Sequence, residues 1–342
     1  MKQFNRIALL SIITVILIGC SDKEDKVVEP AVADNEEVVE LKYTTPFTGE
    51  KVAEESNQRP ILVTINNHPD ARPQSGLGAA DIVYEMLAEG EATRYLALYQ
   101  SELPESVGPI RSARSYFIDL AEGLNAFYVA HGYSPEAKNM LNSGMIDHIN
   151  GMQYDGIYFK RSSHRVAPHN SYISKENLVE SANHLNIAME SNKITAYSFY
   201  EEDDNVKIGM SAKSISLNHS KSVKYLTEYH YNESSKTYER IQGSMLTTDE
   251  ITSEPIALAN IVFFEMPHRV IDQEGRREID LNAGGKAYVA QHGNMREVRW
   301  ENRNGQLIAI ESDGSDVLLV PGQTWVHFVP TSPGITSAVT FQ

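Results

Sequence analysis

A single cysteine constrains this chain more than any other feature. Cys20 is the only one among 342 residues, so no intramolecular disulfide can staple the fold. Stability must therefore come from buried apolar surface, and 41% hydrophobic content over this length supplies enough for it. The same cysteine closes an apolar run, Ile7 to Ile18, which follows Lys2 and Arg6 and ends in Leu17-Ile18-Gly19-Cys20. A run of about twelve residues suits the hydrophobic region of an export signal better than a ~20-residue membrane span. Small Gly19 gives a peptidase access to the bond before Cys20. Residues 1–19 thus read as a lipoprotein signal peptide, and Cys20 as the lipidated amino end of an extracytoplasmic chain anchored to a bacterial cell membrane.

The formal net charge is −16. Such a chain repels nucleic acid and an anionic bilayer as a whole, so any anionic ligand must meet a local basic cluster. From Cys20 to residue 58 acids dominate and large apolar residues are scarce, as in a disordered tether. Within it, Pro46-Phe47-Thr48-Gly49 reads as a solvated kink, with an anchoring turn as the alternative. Such a tether reaches on the order of 100 Å at ~3.3 Å per residue.

At about 150 residues per domain the remainder divides in two. Residues 59–202 read as a mixed α/β domain. Ile61-Leu62-Val63-Thr64-Ile65 is a buried strand and Ala92 to Tyr99 another, while Ala79 to Leu87 fits helix or strand equally. Helices are expected over 115–127, over 135–142 after a Ser134 cap, and over 175–185. An aromatic strand over 156–159 precedes a polar loop, 160–170. Residues 203–342 carry alternating stretches broken by turn signals such as Asn304-Gly305 and Asp313-Gly314, as in a mostly antiparallel β domain. Its last strands are expected at 307–310, 317–320 and a half-buried 325–329. The fold class is α+β.

Arginine is the informative residue type in the first domain, because its planar fork pairs bidentately with phosphate or carboxylate and stays charged. Arg94, Arg111, Arg114, Arg161 and Arg165 all fall on strand ends or polar loops. Arg111 and Arg114 would share a face if their segment opened a helix. Together with His169, the residues Arg94, Arg111, Arg114 and Arg165 are the anion-binding candidates. The alternative is internal bracing by Asp81, Glu85, Glu89 and Glu91. His131, His164 and His169 do not form a zinc-ligand spacing, so no metal and no cofactor is expected. No Gly-x-Ser-x-Gly elbow, Ser-x-x-Lys signature or phosphate-binding loop is present.

Arg59-Pro60, Asn66-Asn67, Arg72-Pro73-Gln74-Ser75-Gly76-Leu77, Ala80-Asp81-Ile82-Val83-Tyr84-Glu85, Thr93-Arg94, Gly108-Pro109-Ile110-Arg111-Ser112-Ala113-Arg114, Pro168-His169-Asn170 and Gly322-Gln323-Thr324-Trp325 together resemble the YerB-like bacterial lipoproteins. The likeness spans nearly the whole mature chain. It implies a surface location and two domains, and no reaction. The order of Thr93-Arg94, Pro109-Ile110-Arg111 and Leu124-Asn125-Ala126-Phe127-Tyr128 is also similar to the catalytic domain of LytR-CpsA-Psr proteins, which transfer lipid-diphosphate-linked glycans. Ala92 stands where that family's magnesium-binding aspartate would be, so only the arginine contacts to a diphosphate carry over.

The expected function is a non-catalytic binding or adaptor protein of the cell envelope with an anion site in its first domain. Its partners would be the membrane through the lipid, and a cell-wall synthesis protein or an anionic envelope glycan. The alternative is an envelope glycan-phosphate transferase or hydrolase. Cys20→Ala is expected to abolish incorporation of a labelled fatty acid into the mature chain, as checked by metabolic labelling.

Overall fold

The computed structural model describes residues 40–202, 204–218 and 222–342. The signal peptide, Cys20 and the tether up to residue 39 lie outside the described residues. The described residues gather into one compact unit built around a large β-sheet. In spatial order its strands are Met210–Ser211, Asn294–Arg303, Gly285–Gln291, Asn260–Met266, Thr324–Pro330, Ile82–Leu87, Thr93–Tyr99, Ile61–Asn66, Phe127–Ala130 and His148–Asn150, with Gln306–Ile310 also paired to Asn294–Arg303. Strands from both halves of the chain therefore share one sheet, joined where Thr324–Pro330 runs parallel to Ile82–Leu87. A second sheet, from Met245–Leu246 through Thr237–Gln242, Thr227–Asn232 and Ser214–Leu217 to Val339–Phe341, packs on one face.

The strand Ile61–Asn66 shows why an unbroken apolar run suits a central position. Successive side chains point to opposite faces. Ile61, Val63 and Ile65 enter the core that includes Ile215, Tyr229 and Tyr238, whereas Leu62 enters the core that holds Phe117, Leu120 and Phe264. Both faces are covered, so neither can be polar. The ambiguous 79–87 stretch resolves for the same reason into the strand Ile82–Leu87, buried throughout. The 325–329 stretch also departs from its expected half-burial. It lies between two parallel neighbours and every residue of Thr324–Pro330 is buried.

Overall the structure is mostly β, and the longer helices cluster in the first half. Helix Pro135–Asn142 begins as expected, with Ser134 Oγ accepting from the Ala137 amide at 3.2 Å. Helix Lys175–His184 is capped in the same way by Ser174. The expected 115–127 helix is shorter, Ser115–Gly123, because Asn125 adopts φ 51° and Phe127 already donates to Pro60 O in the next strand. The aromatic strand expected at 156–159 lies later, at Phe159–Arg161, after a turn in which Tyr158 donates to Tyr154 O. Residues 317–320 form no ladder. Their amides at Val317, Leu319 and Val320 go to Ala309 O, Ser198 O and Asn260 Oδ1, three separate partners.

The solvated kink expected at 46–49 is instead an anchoring turn. Tyr43–Thr44 pairs with Lys51–Val52, and Phe47 is 1% exposed with its ring 6.2 Å from Tyr197. Tyr197 donates to Pro46 O, and Gly322 donates to Thr48 O. Gly49 sits at φ +70°, where a Cβ would lie 2.3 Å from the Phe199 ring. The tether expected to run to residue 58 thus ends earlier, because an aromatic ring in an acidic stretch has a pocket to fill.

Between the sheets lies a buried charge pair. Arg240 Nη2 donates to Glu85 Oε2 at 2.8 Å, and both side chains are fully buried. Glu85 also accepts from Trp325 Nε1 at 3.0 Å, Thr93 Oγ1 at 2.8 Å, Asn67 Nδ2 at 3.2 Å and Gln242 Nε2 at 3.3 Å. The guanidinium lies 4.5 Å from the Trp325 ring and donates to Thr247 Oγ1. Removing one partner strands the other charge, so Arg240→Ala is expected to cost about 3–5 kcal/mol in chemical denaturation. Arg240→Met paired with Glu85→Gln should cost less than Arg240→Ala.

Candidate functional site

The arginine and histidine candidates gather where Ile61–Asn66 ends. Residues 109–113 lie beside that strand, with the Asn66 amide donating to Pro109 O at 2.8 Å and the Arg111 amide to Thr64 O at 2.9 Å. On their other side the His131 amide donates to Arg111 O, and the Ala113 amide to Gly132 O. Gly132, at φ +96°, allows this approach, since a Cβ there would sit 2.5 Å from Ser112 Oγ. Residues 162–170 cross the same end as the tip of a hairpin between Phe159–Arg161 and Ser171–Ser174.

Arg111 and Arg114 do not share a helix face. The helix starts at Ser115, Arg114 is its extended N-cap residue, and 111–113 are extended because they bond to neighbours on both sides. Arg94 and Arg114 converge on one carboxylate. Arg94 Nη2 lies 2.7 Å from Glu89 Oε2, and Arg114 Nε lies 2.6 Å from Glu89 Oε1. Their remaining donors reach Ser112 O and Ala113 O. Burial pushes Glu89 up, but the two arginines outweigh it and hold the carboxyl below its usual range. Burial, with Arg114 close by, pushes Arg94 down to about 9, which still leaves it charged at neutral pH. These two arginines therefore act as braces.

Arg165 is also engaged. Its Nη2 donates to Glu250 Oε1 at 2.9 Å and Pro73 O at 2.6 Å, and its Nη1 to Asp70 O at 3.1 Å. His164 joins it through Nε2, 2.9 Å from the same Glu250 oxygen. Arg161 pairs with Asp155 at 2.9 Å and donates to His131 Nε2 at 3.0 Å. His131 Nδ1–H must then donate to Ser171 Oγ, at 2.7 Å. Burial and the Arg161 charge depress the His131 pKa.

Arg111 differs from the others. Among the described residues it has no ion-pair partner; Nη1 makes one long hydrogen bond, 3.3 Å to Pro168 O, and the buried Nε has no acceptor. Burial lowers its pKa, Glu89 opposes that shift, and Arg114 adds to it. Arg94, Arg111 and Arg114 thus place three cations around one carboxylate. Beside Arg111, His169 stacks on His68 with ring centroids 4.6 Å apart, and its Nδ1 meets Asn66 Nδ2 at 2.7 Å. Burial, His68 and Arg111 all depress His169. Such an arrangement can hold an anion through a guanidinium with free donors and a neutral imidazole. The sequence reading offered Glu89 as a brace but missed Asn66 and His68 as parts of the site, since both act through His169, 103 positions from Asn66.

Glu89→Gln is expected to lower stability by about 2 kcal/mol at neutral pH, a buried-pair loss discounted for partial exposure. Because the folded pKa of Glu89 is depressed, its stabilisation is present above the unfolded carboxylate pKa of about 4.3 and is lost as pH falls through the folded value. The gap between wild type and variant should therefore narrow in urea titrations below about pH 4.

The family profile described as "Protein of unknown function (DUF3048) N-terminal domain" matches residues 47–188, and its C-terminal counterpart matches 215–326. "Putative lipoprotein YerB" of Bacillus subtilis (strain 168) is 39% identical over 336 residues, covering 96% of each chain. The crystal structure of Bacillus subtilis YerB superposes with a TM-score of 0.80 at 39% identity, over 88% of this chain and 100% of that one. The chain therefore belongs to the DUF3048 family, the YerB-like proteins, whose activity is unknown.

Proposed function

We propose that the protein is a lipid-anchored, non-catalytic binding protein of the cell envelope that docks an anionic group, such as the phosphate of an envelope glycan, at Arg111. The observation that carries this reading is the state of Arg111 itself. Alone among the clustered arginines it has no carboxylate partner among the described residues, and it adds positive charge to a site already holding two cations on Glu89. Burial and the neighbouring Arg114 both disfavour the Arg111 charge, and a bound anion would offset that cost. His169 stands beside it as a second donor.

Anchoring through Cys20 rests on the signal pattern and on the name of the Bacillus relative. No helix among the described residues is long and apolar enough to cross a membrane. The transferase alternative draws less support. Its phosphate-holding residues would include Arg94 and Arg114, and both are spent on Glu89, while Thr93 is bonded to Glu85. A cell-wall synthesis protein remains the partner class suited to a tethered scaffold.

The test is calorimetric titration of the soluble chain that lacks the signal peptide and Cys20, residues 21–342, with pyrophosphate. Binding is expected, and Arg111→Ala should weaken it at least tenfold while changing folding stability by no more than about 1 kcal/mol. Unchanged affinity in Arg111→Ala would place the anion elsewhere.

A further inference from the structure

The ring nitrogens at this site are not interchangeable, and their hydrogen bonds decide what the site can hold. Asn66 is 4% exposed, and its Oδ1 accepts from the His68 backbone amide at 3.0 Å. A backbone N–H only donates, so the orientation of the Asn66 amide is fixed. Its Nδ2 then faces His169 Nδ1 at 2.7 Å and must donate to it. A ring that accepts at Nδ1 carries its proton on Nε2. Doubly protonated, it would set two donors head to head. His68 is held less strictly, since the Asp70 amide donates to its Nδ1 at 3.2 Å while Asp70 Oδ2 lies 3.6 Å from the same nitrogen.

This bears on a grouping that otherwise resembles a metal centre. His68, Asp70 and His169 offer ligand atoms within 4.8 Å of one another. A metal takes the lone pair of an imidazole nitrogen, usually with the other nitrogen donating to an acceptor. Here the accepting nitrogen of His169 is already bonded to an N–H donor, and the opposite one carries a proton. The arrangement has donors to offer, and an oxyanion has only acceptors. Asp70, exposed at the rim, is the one negative charge of the grouping. An imidazole N–H beside a guanidinium fork suits the oxygens of a phosphoryl group.

We propose that Asn66 locks His169 as a neutral Nε2–H donor, so that the cluster beside Arg111 takes a phosphoryl group and refuses a divalent metal. The proposal rests on the reading of that cluster as an anion site, and its test separates the two. Long-range proton–nitrogen NMR on the same soluble chain, labelled with ¹⁵N-histidine, reads the ring state at pH 7 without any ligand. Nδ1 unprotonated and Nε2 protonated in His169 is the expected result; a proton on Nδ1 overturns the proposal. Pyrophosphate and Zn²⁺ are then titrated separately. Pyrophosphate should bind the wild type at least tenfold more tightly than Zn²⁺ does, and the reverse order overturns the proposal. With the expected ring state but no pyrophosphate binding, the anion reading itself falls, and the ligand assignment with it. Asn66→Asp supplies an acceptor, so His169 should move its proton to Nδ1 and Zn²⁺ affinity should rise at least tenfold. Adding His169→Ala to Asn66→Asp should remove that gain. A gain that survives comes from the new carboxylate alone and counts against the lock.

Discussion

The contact between Glu85 and Arg240 is the constraint on which the remaining architecture depends. Each is fully buried, and each comes from a different family domain. An ionised carboxylate out of water costs several kcal/mol unless its lone pairs are filled. Glu85 fills them with donors from Asn67, Thr93, Arg240, Gln242 and Trp325, so four segments must arrive together around its own strand. That requirement favours one alignment of the two halves over others of similar apolar burial. The parallel pairing of Ile82–Leu87 with Thr324–Pro330 places Glu85 level with His327, within the same polar pocket.

Charge is distributed sparingly around Arg111. Arg94, Arg114, Arg161 and Arg165 each have a carboxylate, which lets a basic cluster stay folded in an acidic protein without a ligand. Those braces also stiffen the segments around Arg111. Residues 109–113 are clamped on both sides, and the crossing loop is tied down through Arg165 and Glu250. A rigid frame around a guanidinium with no carboxylate partner among the described residues would reduce the ordering cost of any anion bound there.

Some of this was legible in the sequence. Ile61 to Ile65 and the Ser134-Pro135 helix start depend on local periodicity and local capping, and both hold. The cluster of arginine and histidine residues was also visible, because loops with several planar cations are uncommon in so acidic a chain. The division of labour among them was hidden. Whether Arg94 faces a ligand or Glu89 depends on the turn between two strands, and the ring state of His169 depends on Asn66, 103 positions away. Residues 317–320 misled because a continuous apolar run marks burial and not hydrogen bonding, and here the backbone bonds scatter. Phe47 misled in the opposite sense, since the polar composition around it masked one buried ring.

That ring also fixes how far the body can stray. Because the fold takes hold of the chain by Tyr43 and Phe47, about twenty residues separate Cys20 from the first described residue, Glu40. At ~3.3 Å per residue, a lipid at Cys20 would keep the body within roughly 70 Å of the bilayer, a shorter leash than the composition implied. Any tension along the leash would enter at the 43–52 hairpin, whose turn is bonded to Tyr197 and Gly322. The load would then pass directly into the C-terminal half of the sheet as well as the half that carries Arg111, so that a tug on the anchor is shared by the whole body.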